Sequence, residues 1–304
     1  MSQQLAFVFP GQGSQFVGMG HDLYEREPWA RERFHEANDI LGFDLAKLCF
    51  AGPVEELQLT ANTQPAVLVH SVIACELLRV RGFTPVAVAG HSLGEYSALV
   101  ASGCMSFADA LRLVHLRGRF MQEAVPPGIG AMAAILGLDR TQVELACVEV
   151  IDAGVVQPAN YNCPGQIVIS GHASAVRQAM ARCLESGAIK VMELPVSAPF
   201  HSALMEPAAE RLRPELYNVP LADMQVAVIS NVEAKPFGSR VLVPKLLVDQ
   251  ISAPVRWHES MQALVRLGVE AVVEVGPGKV LSALMRRIDR KVKIVELQDL
   301  LEAT

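Results

Sequence analysis

No apolar stretch of this 304-residue chain approaches the roughly twenty residues that a bilayer-crossing helix needs, so no membrane span is expected. The amino terminus lacks a basic region followed by a small-residue cleavage site, and the apolar run Leu5 to Phe9 is only strand-sized. The six cysteines (Cys49, Cys75, Cys104, Cys147, Cys163 and Cys183) include no C-x-x-C pair, which argues against a zinc site or disulfide framework and for a reducing, cytoplasmic setting. Nor is there a basic excess. The 26 Lys and Arg against 32 Asp and Glu leave a net charge of −6, unsuited to broad nucleic-acid binding. Internal repeats, low-complexity tracts and long linkers are also missing. What remains is 51% hydrophobic and 19% charged, enough to bury a large core in one big α/β domain or two unequal ones.

Two glycine-rich segments lack what nucleotide loops require. In Gly11-Gln12-Gly13-Ser14-Gln15-Phe16 a phenylalanine fills the third glycine position of a dinucleotide fingerprint, and no Lys-Ser/Thr follows Gly18. Gly276-Pro277-Gly278-Lys279 has the wrong spacing for a phosphate loop and reads as a strand-to-helix turn. The basic cluster Arg286, Arg287, Arg290, Lys291 and Lys293 reads as a solvated helix end, with an acidic partner as the alternative.

The order of elements predicts an α/β fold with a mostly parallel sheet and an inserted smaller unit. Leu5 to Phe9 is a buried strand closed by the Pro10-Gly11-Gln12-Gly13 turn; a long apolar helix runs from Thr63 to Val80, and Ser106 opens another that ends near Glu123. Between Ala131 and Val196 the pattern becomes β-α-β-β-α-β, the split arrangement of ferredoxin-like units. Afterwards helices and strands alternate again, with strands expected at Val226 to Ser230, Ala271 to Val275 and Val292 to Glu296. The expected division is a large α/β subdomain formed by residues 1–127 and 198–304, and a ferredoxin-like small subdomain formed by residues 128–197.

The chemistry concentrates in Gly90-His91-Ser92-Leu93-Gly94, a G-x-S-x-G pentapeptide between an apolar strand and a helix. Glycines on both flanks permit a strained turn that exposes the Ser92 hydroxyl at a helix N-terminus, where an acyl-transfer oxyanion would be stabilised; the plain alternative is a glycine-flanked helix cap. A serine nucleophile needs a base. Of eight histidines, His201 stands out because Ser197-Ala198-Pro199-Phe200-His201-Ser202 returns the chain from the small to the large subdomain, where sites form. No Asp or Glu between Ser92 and His201 occupies the expected place of a triad acid, so a neutral group such as a backbone carbonyl is left to orient the base. Arg117 has Leu113, Val114, Phe120 and Met121 as its helical neighbours and therefore points inward, toward either a structural acid or an anionic substrate. Arg119 reads as a solvated partner of Glu123. In serine enzymes of this layout one oxyanion donor is the N–H after the nucleophile, here Leu93, and the Gln12 turn after the first strand could supply the second.

Taken together, these segments resemble the malonyl-CoA:acyl carrier protein transacylases of bacterial fatty-acid synthesis. The resemblance runs nearly end to end, through Phe9 to Gln15, Gly90 to Tyr96, Arg117 to Gln122, Tyr161 to Gln166, Pro199 to Ser202 and Glu274 to Gly278. It implies a hydrolase-like fold for the large α/β subdomain, with Ser92 as nucleophile, His201 as base, Arg117 as clamp on the malonyl carboxylate, and the N–H groups of Gln12 and Leu93 as oxyanion hole. It also implies that the Gln250 backbone carbonyl orients the histidine, and that Met121 and Phe200 help line the substrate pocket. Phe200 departs from members with serine there and would crowd an α-methyl branch, favouring malonyl over methylmalonyl units. The implied partners are malonyl-CoA and acyl carrier protein, with no metal or other cofactor. A thioester hydrolase, a carrier-binding module without catalysis, and a malonyl transferase serving polyketide synthesis or malonate decarboxylation remain as alternatives.

Overall fold

The computed structural model describes residues 4–196 and 198–302. Sheet A contains five parallel strands in the order β7-β2-β1-β8-β9: β1 (Leu5–Phe9), β2 (Ala87–Gly90), β7 (Ala227–Ile229), β8 (Ala271–Glu274) and β9 (Lys293–Val295). The chain builds outward from β1 to β2 and β7, then crosses to β8 on the other side of β1. Such a reversal leaves a crevice at the carboxyl ends of the central strands, and the Gln12 and Ser92 turns follow β1 and β2 there.

Strand alternation explains why β1 sits at the centre. Leu5, Phe7 and Phe9 face one buried cluster while Ala6 and Val8 face another, so both sides of the strand need cover. On the first side, α1 (His21–Arg26), α2 (Pro28–Leu41), α3 (Leu45–Ala51) and α4 (Val54–Leu57) lead to α5 (Thr60–Val80), which packs beside α6 (Gly94–Ala101) and α7 (Phe107–Glu123). The helix expected from Thr63 begins three residues earlier. Thr63 does not cap it, since its hydroxyl donates back to the Leu57 carbonyl at 2.6 Å. Pro65 inside α5 removes the N–H that would serve the Ala61 carbonyl, and the His115 ring on α7 meets that carbonyl at 3.2 Å.

Residues 130–193 form the second sheet, in the order β4-β5-β3-β6 and wholly antiparallel: β3 (Gly130–Leu136), β4 (Val156–Cys163), β5 (Gln166–His172) and β6 (Lys190–Glu193). Helices α8 (Arg140–Val148) and α9 (Ala173–Glu185) cover one face around Val143, Ile169 and Val176. Strand β6 is shorter than the Ile189 to Val196 expectation, because pairing with β3 stops at Glu193, two residues before Pro195. The edge strand β4 contains Pro158 and an irregularity between Pro158 and Asn160. Its outer side meets the large unit, where Tyr161 N–H donates to Val255 O and Val255 N–H donates to Ala159 O, at 2.9 and 2.8 Å.

Of the remaining helices, α10 (Glu206–Asn218), α11 (Val243–Ser252) and α14 (Leu297–Glu302) extend the cluster on the first side, and α12 (Trp257–Arg266) and α13 (Val280–Ile288) close the other face. Trp257, Met261, Leu264 and Leu281 cover Ala6, Val8, Ala87 and Ala89. The basic cluster on and after α13 is solvated, yet Arg287 also ties the two units by donating to Gln166 Oε1 and Pro164 O at 2.8 and 3.0 Å. Among the described residues no helix is long and apolar enough to cross a membrane.

Candidate active site

Ser92 sits between β2 and α6 with a φ of 52°, a left-handed conformation that costs a non-glycine residue about 1–3 kcal/mol. The turn can only close around glycines. A Cβ on Gly90 would lie 1.9 Å from the Gly94 carbonyl carbon, and one on Gly94 would lie 2.1 Å from Phe9 O. Asn231, after β7, braces the turn from below: its Nδ2 donates to Gly90 O and its Oδ1 accepts from Ser92 N–H, both at 2.7 Å.

His201, 109 residues away in sequence, lies 2.8 Å from Ser92 Oγ through its Nε2. It too has positive φ, 57°. Its Nδ1 is 2.8 Å from the Gln250 backbone carbonyl near the end of α11. A carbonyl can only accept, so the ring proton resides on Nδ1 and the Nε2 lone pair faces the serine hydroxyl. Burial, followed by the nearby Arg117 charge, pushes the imidazole down to about 3, while the Gln250 carbonyl acts weakly in the other direction. The base is therefore neutral and able to take a proton.

Arg117 on α7 is 1% exposed. Its Nη1 donates to Gln64 Oε1 at 2.8 Å, and its Nη2 donates to Gln250 Oε1 at 2.8 Å and to Ser92 Oγ at 3.1 Å. All three acceptors are neutral, its Nε has no partner, and among the described residues it forms no ion pair. Desolvation pushes its pKa down, which means the buried cation gains from any anion that reaches it. The structural-acid alternative fails on this geometry. Arg119 lies outside, 3.9 Å from Glu123.

These groups line a cavity of about 120 Å³, near four times the ~30 Å³ that a water molecule occupies in the liquid. Gln12, Leu93, Met121 and Phe200 line it as well, so all the expected site residues except Gln250, which lies behind Arg117 and His201, border one space. Among the described residues no turn or loop hydrogen bond engages the N–H of Gln12 or of Leu93. Met132, Asn160, Leu194 and Val196 of the smaller unit complete the lining. The wider cavity, about 530 Å³, is elsewhere, between the Gly276–Lys279 turn and α14, away from the serine.

Residues 6–300 match the acyl transferase domain family. The chain belongs to that family. This acyltransferase is 49% identical over 297 residues to the malonyl CoA-acyl carrier protein transacylase of Bacillus subtilis, covering 97% of the chain and 94% of the relative. It is 50% identical over 286 residues to the Escherichia coli protein of the same name, covering 94% and 93%. Among solved structures it superimposes on an acyl carrier protein S-malonyltransferase from Vibrio cholerae with a TM-score of 0.94 and 45% identity, covering 97% and 96%. A malonyl-transacylase solved in complex with a type II polyketide-synthase acyl carrier protein matches with a TM-score of 0.96 and 44% identity, covering 99% of each chain.

Several residues around the acyltransferase serine escaped sequence reasoning. Gln64 and Glu95 left a trace, as polar side chains on otherwise apolar helices, both at most 1% exposed. Asn231 and the roof residues Met132, Asn160 and Leu194 left none, because nothing local distinguishes them from ordinary strand or loop residues. His91, next to the serine, donates from Nε2 to Asn162 Oδ1 at 2.9 Å and packs against Trp257.

Proposed function

We propose that the protein transfers the malonyl group of malonyl-CoA to the phosphopantetheine thiol of acyl carrier protein through a malonyl ester on Ser92. The observation that carries this reading is that Ser92 Oγ lies at once 2.8 Å from a carbonyl-oriented His201 and 3.1 Å from Arg117, a buried cation that forms no ion pair among the described residues. His201 Nε2 takes the serine proton as Oγ attacks the thioester carbonyl. The N–H groups of Gln12 and Leu93 hold the developing oxyanion, and the Arg117 fork pairs with the free malonyl carboxylate. The C–S bond then breaks, and the CoA sulfur leaves with the proton from His201. The carrier thiol repeats the sequence in reverse order: its proton goes to His201, its sulfur attacks the ester, and Ser92 recovers its hydrogen.

A thioester provides the activated acyl group, so the reaction calls for no metal and no other cofactor. Six free cysteines, all buried, fit a reducing cytoplasm. The relatives are malonyl CoA-acyl carrier protein transacylases, which suggests the substrate pair, and the 120 Å³ cavity suits a short acyl chain better than a long one.

The test separates transfer from hydrolysis. With malonyl-CoA alone, one equivalent of CoA should appear in a burst and then stop; holo acyl carrier protein should restart turnover. Steady CoA release without the carrier would instead make water the acceptor and overturn the reading.

A further inference from the structure

Glu95 lies one residue into α6, fully buried, three residues after the nucleophile. Its Oε2 accepts from Gln250 Nε2 at 2.6 Å and its Oε1 from Asn231 N–H at 3.3 Å. Through these two partners it is connected to Ser92, Arg117 and His201. Gln250 Nε2 also donates to Ser92 O at 2.9 Å, Gln250 Oε1 accepts from Arg117 Nη2 at 2.8 Å, and the backbone carbonyl of the same residue holds His201.

We propose that Glu95 is a positioning residue that fixes the orientation of the Gln250 side-chain amide and thereby aims the Arg117 guanidinium at the acyl carboxylate. This rests on the reading of Arg117 as the malonyl clamp. A side-chain amide has two nearly isosteric orientations, and only its neighbours choose between them. A carboxylate accepts and does not donate, so it holds the Gln250 NH₂ on its own side and leaves Oε1 for Arg117. Burial raises the Glu95 carboxyl to about 8 even against the bonds from Gln250 and Asn231 and the charge of Arg117, so the carboxylate gains weight as pH rises toward 8; both of its oxygens face N–H donors, the arrangement that suits the ionised form.

The spacing has a second consequence. A carboxylate in contact with Arg117 would occupy the guanidinium and compete with the substrate. One amide further away, Glu95 in its ionised form supplies opposite charge across Gln250 without itself taking the donors that the substrate needs.

Glu95→Gln tests the idea because no pair of amide orientations satisfies the network. With the new NH₂ toward Asn231, two N–H donors meet there. With it toward Gln250, the Gln250 amide must turn over, and its NH₂ then faces Arg117. Rates of acyl transfer to holo acyl carrier protein should be measured from malonyl-CoA and acetyl-CoA in the same preparation, so that the ratio is independent of the fraction of folded enzyme. Glu95→Gln should lower the malonyl-to-acetyl preference at least tenfold, and so should Glu95→Asp, whose shorter side chain cannot reach both donors. In a Gln250→Ala background, which keeps the His201 carbonyl, Glu95→Gln should change the ratio no further. If Arg117→Ala abolishes the preference while both Glu95 variants stay within twofold of the parent, the positioning role is overturned and the clamp stands. If Arg117→Ala itself leaves the preference intact, the clamp reading falls and the Glu95 role with it.

Discussion

The floor and the roof of the cleft are built by opposite means. The floor belongs to the parallel sheet, and every group assigned to bond making sits on it: Ser92 after β2, Gln12 after β1, Arg117 on α7, and His201 backed by α11. The roof belongs to the antiparallel sheet and presents Met132, Asn160, Leu194 and Val196. Parallel strands end together, so their turns and following helices converge on one point, whereas an antiparallel sheet offers a face. Reactivity resides in the first arrangement and shape in the second. Beside the site the two are joined by His91 Nε2, which donates to Asn162 Oδ1 at 2.9 Å, and by Gln157 Nε2, which donates to His201 O at 3.4 Å.

The largest effect should come from breaking the floor. Ser92→Ala removes the atom that carries the acyl group and should lower carrier-dependent malonyl transfer by about 10⁴-fold or more, with no CoA burst and with malonyl-CoA still bound. Mass spectrometry of the intact protein should find no malonyl adduct. A burst of parental size would place the acyl group on another residue and end the assignment of Ser92.

The second effect is on pH. Free His201 is held far below the ordinary histidine range by burial and by Arg117, so kcat/KM in the parent should not fall as pH drops through 6.5. A neighbouring cation disfavours the protonated ring; removing it by Arg117→Ala favours protonation, and the acid limb should move upward, toward 6.5. Pre-steady-state CoA release between pH 5 and 8 would measure it. An acid limb that stays in place would mean that burial alone sets the base, without help from the clamp.

The smallest effect should come from the wall. Phe200, on the junction between the two units, is 7% exposed and borders the cavity. Phe200→Ala should relax the preference for malonyl over methylmalonyl by about 1–3 kcal/mol, or roughly ten- to two-hundredfold, with malonyl transfer itself changed far less. A larger loss of malonyl transfer would show that the wall also positions reacting groups, and the contrast between floor and roof would blur.

Local chemistry was legible wherever a residue's neighbours in sequence are also its neighbours in space. The Gly90-to-Gly94 turn is such a case, since the two glycines that let it close flank the serine directly. Arg117 is another, because the i±3 and i±4 rule is enough to decide which way a helical side chain faces. The β-α-β-β-α-β order likewise announced the smaller sheet, with shifts of a few residues where Pro195 and the edge position of β4 limited pairing. His201 could be nominated from its place between the two units but not distinguished from a loop histidine, and the residue that orients it was reached only through the family resemblance.

What the sequence determined by itself, then, is the set of elements, the nucleophile's strained turn and the inward face of Arg117, because these follow from short-range sterics and helical periodicity. Tertiary structure alone decided the strand order, the neutral acceptors around Arg117, and the joining of Glu95, Asn231 and Gln250 into one network. Glu95 is 136 residues from Asn231 and 155 from Gln250 in the chain. A hydrogen bond depends on angles and on distances of about 3 Å, and no pattern along the chain encodes them at that separation.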